Sequence, residues 1–391
     1  MSMHYWKVIL TCYTPICIGS GETYKKSQYI YVKEERKVYL LREEKWISFL
    51  WKHGIIDDFA NELLQNPARF NLYAYLVHQP TLTKKYRNFS GIKRALQLEG
   101  AIQEGEEYLS SGGMDGNKGP NDIVGFIRDV EGNPYIPGSS LKGSFRTAIL
   151  SYEISKNQKL YARDWENIKS VAGDTKKMGS AMDRLEKKLS IEPDDEGKMD
   201  MVRSYFRGLV VSDAVLKKGN LCIVPKEDLT IHEGETHRVA LFREALAIDS
   251  ELEFTIGIDD SSKGMGHFGI RRFDDLLKVL KEFVHFQYQI LYSPFKDSQL
   301  AEEALQDIKK AKNADLLLGS GTGFLSKTLT YSLAPIPQDA VYVTRKLMER
   351  EFRNGKHFRD KEISPHTLKM VEVDEYDYLM GLCYLEGQLL C

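Results

Sequence analysis

The chain alternates between two hydrophobic periods, and the switches between them define its elements. Tyr5 to Tyr13 alternates apolar and polar residues and is rich in aromatic and β-branched types, which predicts a strand. Gln28–Val32 and Lys37–Leu41 predict a hairpin around Lys33-Glu34-Glu35-Arg36. From Glu43 to about Ala101 the period turns helical, with Trp46, Phe49 and Leu50 on one face and Ile55, Ile56, Phe59, Leu63 and Leu64 on another. Ser110 to Asn121 holds four glycines and no period, so a loop is expected, and strand character returns over Ile123–Val130.

A compact signal follows in Tyr135-Ile136-Pro137-Gly138-Ser139-Ser140-Leu141-Lys142-Gly143-Ser144-Phe145-Arg146-Thr147. Proline disfavours helix at the residue before it, and Ser139 is suited to cap the helix that Leu141, Phe145, Ala148, Ile149 and Tyr152 announce. Lys156 to Met201 reads as charged and partly helical, broken by the acidic run Ile191–Gly197. Strands are expected over Arg207–Leu216, Leu221–Val224 and within Val239–Ile258. Phe273 to Leu291 keeps 3.6-residue spacing over five turns, a shorter helix is expected over Leu300–Ala311, and Thr367–Val373 reads as a strand.

Stripped of insertions, the order is strand, helix, strand, strand, helix, glycine loop, strand. That predicts an α+β fold with an RRM/ferredoxin-like (βαββαβ) core and large helical insertions. The expected divisions are residues 1–41 (first strand and hairpin of the core), 42–130 (mainly helical insertion), 131–335 (the rest of the core, with a charged insertion at 156–200) and 336–391 (a C-terminal strand and tail packing on the core).

Composition narrows the classes. The 391 residues are 42% hydrophobic and 28% charged with a net charge of −2, an ordinary globular balance without a global basic field. Any polyanion surface must therefore be local. Residues 319–369 carry nine Lys/Arg against five acids. Cys12, Cys17, Cys222, Cys383 and Cys391 form no CxxC pair, which fits reduced thiols and argues against a disulfide framework. No signal peptide or membrane-spanning run is evident, so a cytoplasmic protein without membrane contact is expected.

Three motifs compete for chemistry. Gly321–Thr328 nearly matches a phosphate loop but has Ser326 where glycine is required, and no magnesium-binding strand follows. His232-Glu233-Gly234-Glu235-Thr236-His237 spaces its histidines five apart rather than four, so a polar loop is expected rather than a zinc helix. His4, His53 and His267 are possible general bases, each without a sequence partner. The start of the 138–152 helix, by contrast, combines free amides, the positive dipole end, two serines and two cations, a set suited to a phosphate backbone. The glycines of 319–323 suit a backbone that approaches something closely. Trp6, Tyr24, Tyr29 and Tyr31 could stack bases or belong to the core.

Ile136-Pro137-Gly138-Ser139-Ser140-Leu141-Lys142-Gly143 with Arg146 resembles the signature helix start of the RAMP superfamily of CRISPR-associated proteins. Thr14-Pro15 with Ile18–Glu22 resembles the end of its first strand, Arg238–Ala247 and Phe254–Ile258 its middle strands, and Leu318–Phe324 its glycine-rich loop. Within the superfamily the chain is most similar to the fifth-subunit family of the type III-A Csm effector complex. That resemblance implies a non-catalytic, cofactor-free subunit binding guide RNA. It would cap the filament of repeated backbone subunits at the guide's 3′ part and assist 3′-end maturation in antiviral defence. Its partners would be guide RNA and other Csm subunits, with host nucleases as possible further ones. The RNA-binding set it implies is Ser139, Ser140, Lys142, Arg146, Gly319, Ser320, Gly321, Thr322, Gly323 and Lys327, with no catalytic or metal residue. Glu22, the nearest acid to the position where backbone subunits carry their cleaving residue, is not assigned. The alternative is a metal-independent endoribonuclease of the same superfamily with a histidine base.

Overall fold

The computed structural model describes residues 3–65, 67, 70–108, 122–230, 236–295, 313–373 and 376–390. The expected loop at 110–121, the helix at 300–311 and the residues of the His232–Glu235 stretch before Thr236 lie outside the described residues, as does Cys391.

Strand β1 (Met3–Cys12) buries Trp6, Val8, Leu10 and Cys12 on one face, as its alternation predicts. After β2 (Gly19–Tyr24), the expected hairpin forms from β3 (Tyr29–Val32) and β4 (Lys37–Leu40), with Tyr31 opposite Val38. The helical insertion follows as α1 (Glu43–Lys52), α2 (Ile56–Gln65), α3 (Leu72–His78), α4 (Pro80–Tyr86) and α5 (Phe89–Leu98). Its Trp46, Phe49, Leu50, Leu76, Leu82, Ile92 and Leu96 form a core with Ile30, Val32 and Tyr39 of the hairpin. Asn71 and Asn88 cap α3 and α5 by accepting from the amides of Ala74 and Gly91.

Next come β5 (Glu106–Tyr108), β6 (Ile123–Phe126), β7 (Tyr135–Ile136), α6 (Gly138–Lys156), α7 (Ala162–Ser170) and α8 (Thr175–Ser190). The strand expected over 207–216 divides into β8 (Leu209–Val211) and β9 (Ala214–Lys218), because the segment turns at Ser212-Asp213. The short strand expected at 221–224 runs on as β10 (Leu221–Thr230), and the stretch 239–258 is two strands, β11 (Thr236–Leu246) and β12 (Glu251–Asp259). The turn between them contains Asp249 at φ 62°. Then follow α9 (Phe273–Phe295), β13 (Leu316–Leu317), α10 (Thr330–Leu333), α11 (Pro337–Glu351), β14 (Thr367–Val373), β15 (Tyr376–Leu379) and β16 (Leu382–Leu389).

The strands form two sheets. A seven-stranded sheet runs β13-β16-β1-β12-β9-β7, with β8 also on β12, and all its pairings are antiparallel. A nine-stranded sheet runs β2-β6-β11-β10-β5-β4-β3, with β14 on β10 and β15 on β14. The strands of residues 1–41 are thus shared, β1 in the first sheet and β2 to β4 in the second. Helices α6 and α9 lie side by side, and their buried residues Leu141, Phe145, Ala148, Leu276, Leu280 and Phe283 join one core with the inward residues of β1 and β12. The polar positions of β1 and β12 carry charges paired across strands, Lys7 with Glu253 at 2.6 Å, while β9 and β12 pair Lys218 with Glu251 at 2.9 Å.

In the second sheet, Arg128 bridges two carboxylates. It donates to Glu106 at 2.8 Å and to the fully buried Glu244 at 2.5 Å, and Glu244 also accepts the Phe126 amide. Burial, then the neighbouring Glu244, pushes the Glu106 carboxyl well above its ordinary range. Among the described residues no helix is long and apolar enough to cross a membrane.

Candidate nucleic-acid interface

At the start of α6 the geometry differs from the expectation in one instructive way. Pro137, not Ser139, occupies the cap position, and the Gly138 amide is already taken by the Asp213 carboxylate at 2.7 Å. A side-chain anion from the β8–β9 turn therefore sits where a phosphate was expected. Gly138 is required there, since a Cβ would fall 2.4 Å from the Val211 carbonyl oxygen. Ser139 is exposed and Ser140 half-buried. The two cations are engaged internally. Lys142 donates to the Leu209 carbonyl at 2.6 Å, and burial lowers its pKa. Arg146 pairs with Glu186 at 2.5 Å and lies over the Phe206 ring.

The glycine-rich loop has its own packing logic. Gly319 has φ 99°, and a Cβ on it would stand 2.5 Å from the Cys17 carbonyl oxygen. That same carbonyl accepts the Ser320 amide at 2.8 Å. Close approach is thus required, but toward the protein's own backbone. Thr322 donates to the Gly319 carbonyl and Ser326 to Thr322, which closes the loop on itself. Ser320 and Lys327 are exposed, Gly319, Thr322 and Gly323 half-buried, and Gly321 is buried against Met380. A short 3-10 turn over Leu325–Lys327 and the four-residue α10 follow, not the long helix of a phosphate loop.

The two predicted pieces are linked by backbone hydrogen bonds that pass through residues 17–18 and 127–135. Ser320 donates to Cys17, Ile127 donates to Ile18, and Tyr135 donates to Ile127 at the long distance of 3.5 Å. The Leu325–Lys327 turn also packs on α6.

The tertiary structure adds cations that lie far away in sequence. Although Lys327 is exposed as a whole, partial desolvation of its ammonium lowers its pKa, and neighbouring Arg243 of β11 lowers it further. Burial likewise lowers that of Lys226 of β10, with Lys369 of β14 and Arg243 contributing. Asp228 answers two of the four, accepting from Lys369 at 2.7 Å and lying 3.5 Å from Lys226. Among the described residues neither Arg243 nor Lys327 is paired with a carboxylate; Arg243 reaches only as far as the Met380 sulfur, at 3.7 Å. Lys226 and Arg243 escaped the sequence reading because the alternation of β10 and β11 signals only a strand. Nothing local says that both strands lean on the glycine loop.

Beside the loop opens a cleft of about 440 Å³, bordered by Gly321, Thr322, Gly323, Phe324, Asp228 and Lys369. His357 and His366 border it too, and no sequence argument had singled them out. The three histidines weighed as bases stand apart from it. His4 is on β1 near Asp260, and His53 is buried in the helical insertion between the Phe49 carbonyl and the Tyr86 hydroxyl. His267 stacks on Tyr205 at 3.6 Å between ring centroids, and burial lowers its pKa. Trp6 and Tyr29 are core residues, and Tyr24 and Tyr31 pack on a small core with Ile123 and Phe242. Cys12, Cys17, Cys222 and Cys383 are buried free thiols, and burial raises the pKa of each.

The chain is similar along almost its whole length to curated proteins called CRISPR system Cms protein Csm5. It is 25% identical over 395 residues to that of Enterococcus italicus, covering 98% of this chain and 97% of the relative. It is 26% identical to that of Streptococcus thermophilus over 83% of this chain and 80% of the relative. Its fold matches a chain of a type III-A Csm–crRNA–target RNA ternary complex at a TM-score of 0.65, with 20% identity over 97% of this chain and all of the other. It also matches the T. onnurineus Csm5 crystal structure at 0.56, with 19% identity over 82% of this chain and 92% of the other. The RAMP superfamily model matches residues 9–326, and the chain belongs to that superfamily.

Proposed function

We propose that the chain is a guide-RNA-binding subunit of a type III-A effector complex and that RNA runs along the cleft beside the glycine loop. The observation that carries this is the convergence of Lys226, Arg243, Lys327 and Lys369, from three strands and a loop, beside residues 319–323, where Lys369 neighbours Gly323 and Arg243 reaches the Met380 that packs on Gly321. Arg243 and Lys327, which have no carboxylate partner among the described residues, lie next to loop amides and hydroxyls, a set that recognises phosphates without regard to sequence. Ser320, Thr322, Gly323 and Lys327 would contact RNA directly. Ser139 and Ser140 would add hydroxyl contacts, while Lys142 and Arg146 would chiefly hold α6 in place.

The strand order also supports an elaborated RRM-like core. Taking β1, β9, β12 and β16 as first to fourth, the sheet reads fourth, first, third, second, with α6 and α9 in the two crossovers. The family resemblance implies a place at the end of the backbone filament, at the guide's 3′ part, from which the subunit would assist maturation. On this reading the chain holds RNA and does not cut it.

Ultraviolet crosslinking of the purified chain to a single-stranded guide, followed by peptide mapping, tests the reading. Adducts are expected within 319–327 and at Arg243. Adducts confined to the helical insertion would refute it. Defined cleavage of precursor guide RNA in EDTA would favour the endoribonuclease alternative.

A further inference from the structure

Residues 352–366 join α11 to β14 without a regular strand or α-helix, and Phe352 and Phe358 on this segment are exposed at 58% and 64%. Apolar burial therefore does little to fix it, apart from Ile363. What fills its interior is polar. Asp360 is fully buried, with His357 Nδ1 at 3.1 Å from one carboxylate oxygen and His366 Nδ1 at 2.5 Å from the other. One ligand-type atom from each of the three lies within 4.8 Å of the others.

We propose that His357, Asp360 and His366 bind one divalent transition-metal ion of the zinc class. Two imidazole nitrogens and one carboxylate oxygen form a mixed set that suits zinc, cobalt or nickel, whereas magnesium and calcium take oxygen. Zinc–nitrogen bonds of about 2.0–2.1 Å put tetrahedral ligand atoms about 3.4 Å apart. The 3.1 Å and 2.5 Å separations run to different oxygens of Asp360, so the carboxylate has to turn one oxygen toward the ion while the imidazoles, whose ligand atoms already lie within 4.8 Å of it, close around the same centre. An outer layer of contacts stands ready. Ser364 donates to Asp360 at 2.6 Å, Tyr331 donates to the Ser364 carbonyl, and Arg345 donates to the Asp360 carbonyl. Three protein ligands leave a fourth position for water, and both histidines border the cleft that would supply it. His366 directly precedes β14, so the ion would also fix the start of the strand that carries Lys369. No metal is expected from the sequence, because His-x₂-Asp-x₅-His matches no common spacing and its convergence depends on how the segment folds back.

The test uses the full chain without a histidine tag, stripped with chelator, desalted and offered equimolar zinc or, separately, cobalt. One equivalent of zinc is expected to remain after desalting, and cobalt is expected to give the strong visible bands of a tetrahedral site. Both signals should be lost in His366→Gln and kept in His285→Gln, which alters an exposed histidine. Zinc should raise the melting midpoint of the wild type and leave that of Asp360→Asn unchanged. Folded wild type that retains no zinc would overturn the proposal, whatever the variants do. Equal zinc in His366→Gln would overturn it as well, leaving a metal-free hydrogen-bonded hub. No RNA enters the experiment, so its result is independent of the RNA-binding reading.

Discussion

The internal contacts of Lys142 and Arg146 make the salt dependence of RNA binding a sharp test. Single-stranded nucleic acid gives a slope of log K against log salt of about −0.7 for each phosphate neutralised. Arg243 and Lys327 have no carboxylate partner among the described residues, so each is assigned one phosphate. Removing both in Arg243→Ala/Lys327→Ala should flatten the slope by about 1.4. If affinities converge near 1 M salt, this is a loss of about 25-fold at 0.1 M and about tenfold at 0.2 M. Lys142→Ala/Arg146→Ala removes cations held by Leu209 and Glu186, so its slope should change by less than one phosphate's worth, about 0.7. Fluorescence anisotropy with a labelled single-stranded guide across a KCl series measures both, after circular dichroism has shown both variants folded. A slope flattened by the α6 pair and unchanged by the Arg243/Lys327 pair would refute phosphate binding at Arg243 and Lys327.

Other outcomes follow from the same structure. Arg128→Met leaves Glu106 and Glu244 buried without their cation and should destabilise the chain by about 3–5 kcal/mol in urea unfolding; a loss below about 1 kcal/mol would show that the carboxylates take up protons without strain. Gly319→Ala forces a Cβ into the Cys17 carbonyl at a left-handed φ and should cost more than about 1 kcal/mol, whereas Gly143→Ala, mid-helix with open space around it, should gain about 0.5–1 kcal/mol. His267 has a pKa lowered chiefly by burial, so the unfolded chain takes up its proton first. Its contribution to stability is complete above the unfolded value of about 6.5 and is lost as pH falls through the folded value. His267→Phe, which keeps a ring against Tyr205, should flatten the acid limb of a stability–pH profile, and an unchanged limb would place the proton uptake elsewhere.

Periodicity by itself determined the local elements. The alternation of β1, the β3–β4 hairpin, the five-turn helix within α9 and strand β14 follow from spacing that any local window contains. The helix at Gly138 was legible too, because Pro137 and the apolar repeat behind it leave little alternative. Which groups are free to act was not legible, because availability is a property of the partner. Asp213 takes the Gly138 amide from 75 residues away. Leu209 and Glu186 hold the two α6 cations, and Cys17 explains Gly319. Conversely, Lys226, Arg243, Lys327 and Lys369 become one cationic edge only when β10, β11, β14 and the glycine loop are brought together. The same holds for His357, Asp360 and His366, which share a burial that spacing alone does not encode. Charge and hydrogen-bonding chemistry act through space over a few ångströms, so they are settled by the fold, while hydrophobic period acts along the chain and can be read from it.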